Sequence, residues 1–98
     1  MTQIKTYGEI AISMAQLQKR VWTDLQDRCN LVMNQLALAE SEGRVPACRE
    51  LAMCKSIWSE YKALPLTIRN QPSTEWTSEL TAMLDLCNEI PNFYVRAR

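Results

Sequence analysis

From Glu9 to Glu42 the chain runs without a glycine or a proline. Along that stretch apolar residues recur at Ile10, Met14, Leu17, Val21, Leu25, Cys29, Val32 and Leu36, in steps of 4, 3, 4, 4, 4, 3 and 4. Steps of three and four place side chains on one face of an α-helix, whereas a half-buried strand needs steps of two. Ahead of it, Thr6-Tyr7-Gly8-Glu9 fits a capping box, with a hydroxyl to accept from the first turn and a carboxylate to reach back. The pattern predicts one helix from about residue 7 to about residue 41, roughly 50 Å long at 1.5 Å per residue. Its halves differ. Residues 16–28 are polar around a single seam, while residues 29–39 add Leu31, Met33 and Leu38 outside it. The second half is therefore expected to be buried on more than one side.

Ser41-Glu42-Gly43 is a stop signal, since glycine accepts the left-handed conformation that follows a helix end. Pro46 suits the first position of a second helix, which carries Ala47, Leu51, Cys54, Trp58 and Tyr61 on its stripe and closes at Leu64-Pro65. The short connection makes the first two helices antiparallel neighbours. Residues 65–72, PLTIRNQP, read as a linker bracketed by prolines, with Leu66 and Ile68 expected to pin it to the core. Ser73 caps a third helix, striped by Trp76, Leu80, Met83, Cys87 and Ile90 and ended by Pro91. The expected fold is all-α, a single domain over residues 1–98, with helices near 7–41, 46–64 and 73–90 forming a three-helix bundle and a tail at 91–98.

The second helix is long enough to cover only half of the first. The third either folds beside both, leaving residues 7–22 as a projecting arm, or continues along that arm and covers it. The extra apolar residues at 29–39 favour the compact choice, because a helix apolar on two sides needs two neighbours. The arm then offers Ile10, Met14, Leu17 and Val21 to a groove on a partner or to a second copy of the chain. Trp22, beside the seam, is the tryptophan expected to anchor such an interface. Trp58 and Trp76 lie on stripes and are expected in the core. Phe93 and Tyr94 either pack back on the bundle or dock a partner.

Charge narrows the function. Eleven Lys and Arg balance eleven Asp and Glu, so no net field holds the chain on nucleic acid or an anionic membrane. The charges are zoned, however. Residues 73–90 hold Glu75, Glu79, Asp85 and Glu89 and no basic residue, which makes an acidic strip with Glu75 and Glu79 as candidate contacts for a basic partner surface. Histidine is absent, which removes the commonest general base and the commonest metal ligand. Cys29, Cys48, Cys54 and Cys87 are spaced by 19, 6 and 33 and contain no CxxC pair. Three of them fall on helical stripes, where a thiol acts as a small hydrophobe; Cys48 falls off its stripe. The carboxylate pairs sit on polar surfaces where nothing would raise their pKa, and no Gly-rich phosphate loop or cluster of groove-reading arginines occurs. With no signal segment evident, the expectation is a reduced, cytoplasmic protein without cofactor, metal, membrane or sequence-specific nucleic-acid partner, and not an enzyme.

A neutral helical chain of this size without catalytic groups resembles the small accessory proteins with which phages redirect host machines. The long first helix through TYGEIAISMAQLQKRVWTDLQDRCNLVMNQL, the hairpin into VPACRELAMCKSIWSEYKAL and the linker PLTIRNQP make it most similar to the second anti-RecBCD proteins of lambdoid phages. The likeness is one of layout over the whole chain; small helical anti-CRISPR proteins share much of it. It implies a modulator that binds the host RecBCD helicase–nuclease, through its RecC subunit, in the host cytoplasm, and that protects or redirects DNA-end processing and recombination. It carries over no contact residue. The reading from a different class is a homodimeric structural or chaperone-like helical module.

Overall fold

A computed structural model describes the backbone of residues 7–94 and the side chains from residue 13 to 94. The expected Thr6 cap and the side chain of Ile10 lie outside the described residues. Among those residues the chain is all-helical: α1 Tyr7–Ser41, α2 Arg49–Lys62, α3 Leu66–Arg69 and α4 Thr74–Cys87. The long first helix ends where its sequence says. Gly43 takes a φ of 70°, its N–H donates to the Glu40 carbonyl at 3.0 Å and the Arg44 N–H donates to the Ala39 carbonyl at 2.9 Å. Those two bonds close a Schellman motif, which satisfies carbonyls that the helix end would otherwise leave open.

The second helix departs from expectation at its start. It begins at Arg49, three residues after Pro46, with Cys48 in an extended N-cap conformation and without a side-chain capping bond. Val45, buried, takes the chain into the core before the helix starts, and so shifts the turn. The linker is not plain coil. Leu66–Arg69 forms one helical turn after Pro65, and Leu66 and Ile68 are exposed and do not pin it. The pin is polar: the Arg69 carbonyl accepts from Trp22 Nε1 at 2.8 Å and from Gln26 Nε2 at 2.6 Å. Ser73 caps α4 as expected, its hydroxyl accepting from the Trp76 N–H at 3.1 Å. The helix ends at Cys87, three residues before Ile90. A turn then places Pro91 and Asn92 at its centre, with the Phe93 N–H donating to the Ile90 carbonyl at 3.3 Å. Asn92 has a φ of 65°, which asparagine tolerates better than most residues, and the turn swings Phe93 into the core.

Directions follow from contacts. Lys55 meets Glu40 at 2.9 Å, and Tyr61 meets Gln26, so α2 runs antiparallel to α1. Cys87 meets Met33 at 4.0 Å while Thr74 and Thr77 lie beside Leu17–Leu25, so α4 runs parallel to α1. The closest backbone packing is between α2 and α4, and next between α1 and α4. The α1 and α2 backbones instead stand apart around a groove of about 340 Å³ floored by Met33, Leu36 and Trp58. The core sits where α4 meets both: Cys29, Met33 and Leu36 from α1, Leu51 and Cys54 from α2, Leu80, Met83 and Cys87 from α4. Of the residues added at 29–39, Met33 is buried, but Leu31 and Leu38 face outward, because α4 covers one flank of α1 and no described element covers the other there.

The body leaves part of α1 uncovered. The chain measures 59 × 31 × 17 Å with a radius of gyration of 17.2 Å. A compact domain of this length has a radius of about 13 Å. The excess is the N-terminal half of α1, which extends past the start of α4 as an arm.

Candidate interaction surface

The arm rests on a clasp of aromatic and amide groups. Tyr61 is its centre: its ring stacks on Trp58 at 5.4 Å and meets Trp76 edge-on at 5.5 Å and Trp22 edge-on at 6.4 Å. Arg69 lies over the same ring at 6.0 Å, and Gln26 Nε2 donates to the Tyr61 hydroxyl. Trp22 is 3% exposed and is therefore not the interface anchor that its place beside the seam suggested. The body reaches it because the Arg69 carbonyl and the Tyr61 ring come over from α2 and α3. Trp58 and Trp76, expected in the core, are partly buried and pack at its edge.

One residue before Trp22 the environment changes. Val21 is 58% exposed, Leu17 62% and Met14 57%. All three project from a helix whose backbone is continuous with the buried half, and among the described residues only the start of α4 comes beside Leu17 and Val21. Where the seam meets α4, a groove of about 470 Å³ opens between Leu17, Val21 and Leu25 on one side and Pro72, Thr74 and Thr77 on the other. Its lining holds no charged residue. The seam residues were legible in the sequence. The α4 shoulder was not, because hydroxyl residues at a helix start read as a cap and as solvent-facing surface.

The remaining candidates fall elsewhere. Glu75 and Glu79 are exposed on α4 without an ion-pair partner among the described residues, whose salt bridges are Arg44–Glu42 and Lys55–Glu40. Phe93 is buried against the C-terminal end of α1, while Tyr94 is 80% exposed beside it. The arm, the acidic strip and Tyr94 do not converge on one patch. The arm and its groove lie at the α1 N-terminal side, and Tyr94 borders the opposite end.

The buried thiols form a separate cluster. Cys54 donates to the Met83 carbonyl at 3.4 Å, and Cys87 lies 3.6 Å from Cys54 and 4.0 Å from Met33. Burial pushes the Cys29 thiol up to about 11, against a small opposing pull from Arg28. The hydrogen bond with Cys87, together with burial, holds Cys54 above the usual thiol range. Both groups stay protonated near neutral pH, where a thiol is a poor nucleophile and a poor ligand. Cys48, partly buried, packs at the edge of the core. Among the described residues no group of three or more His, Cys, Asp or Glu is disposed to hold a metal, and no helix is long and apolar enough to cross a membrane.

Comparison with protein families, with curated proteins and with solved structures finds no match for this chain.

Proposed function

We propose that this chain is a non-catalytic protein-binding modulator, a three-helix bundle of α1, α2 and α4 whose N-terminal helical arm is the docking element. The observation that carries the reading is the exposure of Met14, Leu17 and Val21, at helical spacing, on an element that leaves the body. An apolar seam of that kind fits the groove-binding mode in which a helix presents anchors at every third or fourth residue. The chain's lack of histidine and the raised pKa of the buried Cys29 and Cys54 thiols support a binding role over a catalytic one. The layout resemblance supplies the sharpest form: a phage-encoded protein acting in the host cytoplasm on the RecBCD helicase–nuclease through RecC, so changing its response to DNA ends. An anti-CRISPR role is the neighbouring form of the same reading.

The test uses purified RecBCD and the full-length chain. The parent chain is expected to bind, and Leu17→Asp with Val21→Asp to abolish binding while far-UV circular dichroism stays helical. Full binding by that variant would contradict the arm as the docking element. A second contact surface is favoured by Glu75 and Glu79, exposed without ion pairs. Glu75→Lys with Glu79→Lys is expected to weaken binding only if docking runs through α4, and then with a dependence on salt, because exposed charges are screened within about 8 Å at physiological ionic strength.

A further inference from the structure

We infer that Cys54 and Cys87 are a redox pair: a peroxide joins them in a disulfide that fastens α2 to α4 inside the core, and a dithiol reductant releases it. The inference stands on the sulfur cluster and not on the arm, so it is independent of the docking reading.

Geometry selects the pair. The two sulfurs lie 3.6 Å apart, one from each of the two helices whose backbones pack most closely. A disulfide has an S–S length of about 2.05 Å, so the sulfurs need to approach by only about 1.5 Å. Cys54 sits inside α2 and Cys87 is the last residue of α4. Both are fully buried, so in the folded chain neither meets a thiol of another molecule. Cys29 comes from α1 and burial holds its proton up to about 11, while Cys48 lies at the edge of the core.

Burial raises the question of how an oxidant enters. Cys87 stands where α4 stops and the chain turns toward Phe93, with the Ile90 N–H donating to the Cys87 carbonyl at 3.2 Å. Helix ends open locally at a lower free energy than the whole fold. Opening of that last turn exposes Cys87 to a molecule as small as hydrogen peroxide while α1 and α2 stay in place. The environment also divides the labour between the two sulfurs. The hydrogen bond from Cys54 holds the Cys87 thiol below its ordinary value, against burial and the neighbouring Cys29, and the same bond raises Cys54. Cys87 is therefore the attacking thiolate and Cys54 the resolving thiol.

The steps balance. The Cys87 thiolate attacks one peroxide oxygen, the O–O bond breaks, and the departing hydroxide takes a proton to leave as water. Cys87 is now a sulfenic acid. Cys54 Sγ attacks Cys87 Sγ, the S–O bond breaks, and the hydroxide leaves as water with the Cys54 proton. Two thiols and one peroxide have become one disulfide and two waters, the sulfurs losing the two electrons that the peroxide gains. Because the closed loop spans 33 residues, the bond restricts the unfolded chain and stabilises the body.

The test oxidises the reduced full-length chain with hydrogen peroxide in native buffer, followed by intact mass and tryptic mapping. The four cysteines fall in four different tryptic peptides, residues 29–44, 45–49, 50–55 and 70–96, so every pairing is distinguishable. The expected product has lost two hydrogens, joins 50–55 to 70–96 within one chain, and returns to the parent mass with dithiothreitol. Its melting temperature is expected to be higher by about 10 °C. Cys87→Ala is expected to show no such rise on peroxide treatment. In urea, where nothing holds the pair together, the same treatment is expected to give mixed pairings. Four thiols that stay free in native buffer overturn the inference, as do native pairings as mixed as those in urea, a Cys87 that stops at the sulfinic acid, or a Cys54–Cys87 disulfide that lowers the melting temperature. The mapping is made on the parent chain, so it decides the matter even where the alanine variant fails to fold.

Discussion

Residues 13–21 and 22–39 belong to one unbroken helix with one apolar rhythm, yet they have opposite fates. In the second stretch Trp22, Cys29, Val32, Met33, Leu36 and Ala39 are buried; in the first, Met14, Leu17 and Val21 are not. Helical periodicity reports that a face is apolar. It does not report what covers that face, which depends on where other helices start. Here α4 starts at Thr74, beside residues 17–25, and α2 ends at Lys62, close to Gln26. Beyond those two points no described element lies over α1. The difference between the halves is thus a matter of length: two helices of 14 residues cannot cover one of 35.

Adjacent residues give the sharpest way to break that comparison. Trp22→Ala should lower stability by about 3–5 kcal/mol, since it removes a buried indole and its bond to the Arg69 carbonyl. Val21→Ala should change stability by no more than about 0.5 kcal/mol, as expected for an exposed position. Urea denaturation at submicromolar chain concentration, where self-association plays no part, measures both. Equal losses at the two positions would mean that the arm is part of the core after all.

A smaller effect is expected from the sulfur cluster. Cys54→Ala removes a fully buried side chain between α2 and α4 and should cost roughly 1–2 kcal/mol. Chelators should leave the parent chain's melting temperature unchanged. A chelator-induced unfolding would contradict the assignment of these thiols as packing groups.

The same thiols predict a pH dependence. Cys29 titrates near 11 in the fold against an ordinary value of 9.0, raised by burial. The folded state therefore holds its proton where the unfolded chain has released it. That contribution to stability is complete below about pH 9 and is lost as the pH rises toward 11. In the neighbouring pair the shared hydrogen bond raises Cys54 and lowers Cys87, so those two oppose each other and Cys29 sets the expected direction. Melting temperature should be flat from pH 7 to 8.5 and fall between pH 9 and 11, with a shallower fall in Cys29→Ala. A melting temperature that rises over that window would contradict the burial of these groups.

Much of the fold is legible in the residues. The stripe from Ile10 to Leu36, the Gly43 stop and the Ser73 cap each act through local backbone chemistry, and the helices they mark are present. Pro46 misled because a proline that suits a helix start also suits a loop, and Val45 decided between them by turning inward. Leu66 and Ile68 misled because apolarity was taken for anchorage; the linker is held by a backbone carbonyl at Arg69, and no sequence signal marks a carbonyl as an acceptor. Trp22 was placed outside for the same kind of reason. Its position beside the seam is correct, but its partners, Tyr61 and Arg69, come from 39 and 47 residues away. The seam of the arm was readable because it needs no partner within the chain.

The most direct test is the stability of Leu17→Asp with Val21→Asp, followed by chemical denaturation at submicromolar concentration. If the N-terminal half of α1 is an uncovered arm, the two new carboxylates stay in water and the free energy of unfolding remains within about 1 kcal/mol of the parent chain. If that half is core, two unpaired buried charges cost several kcal/mol against a total of about 5–10, and the protein unfolds.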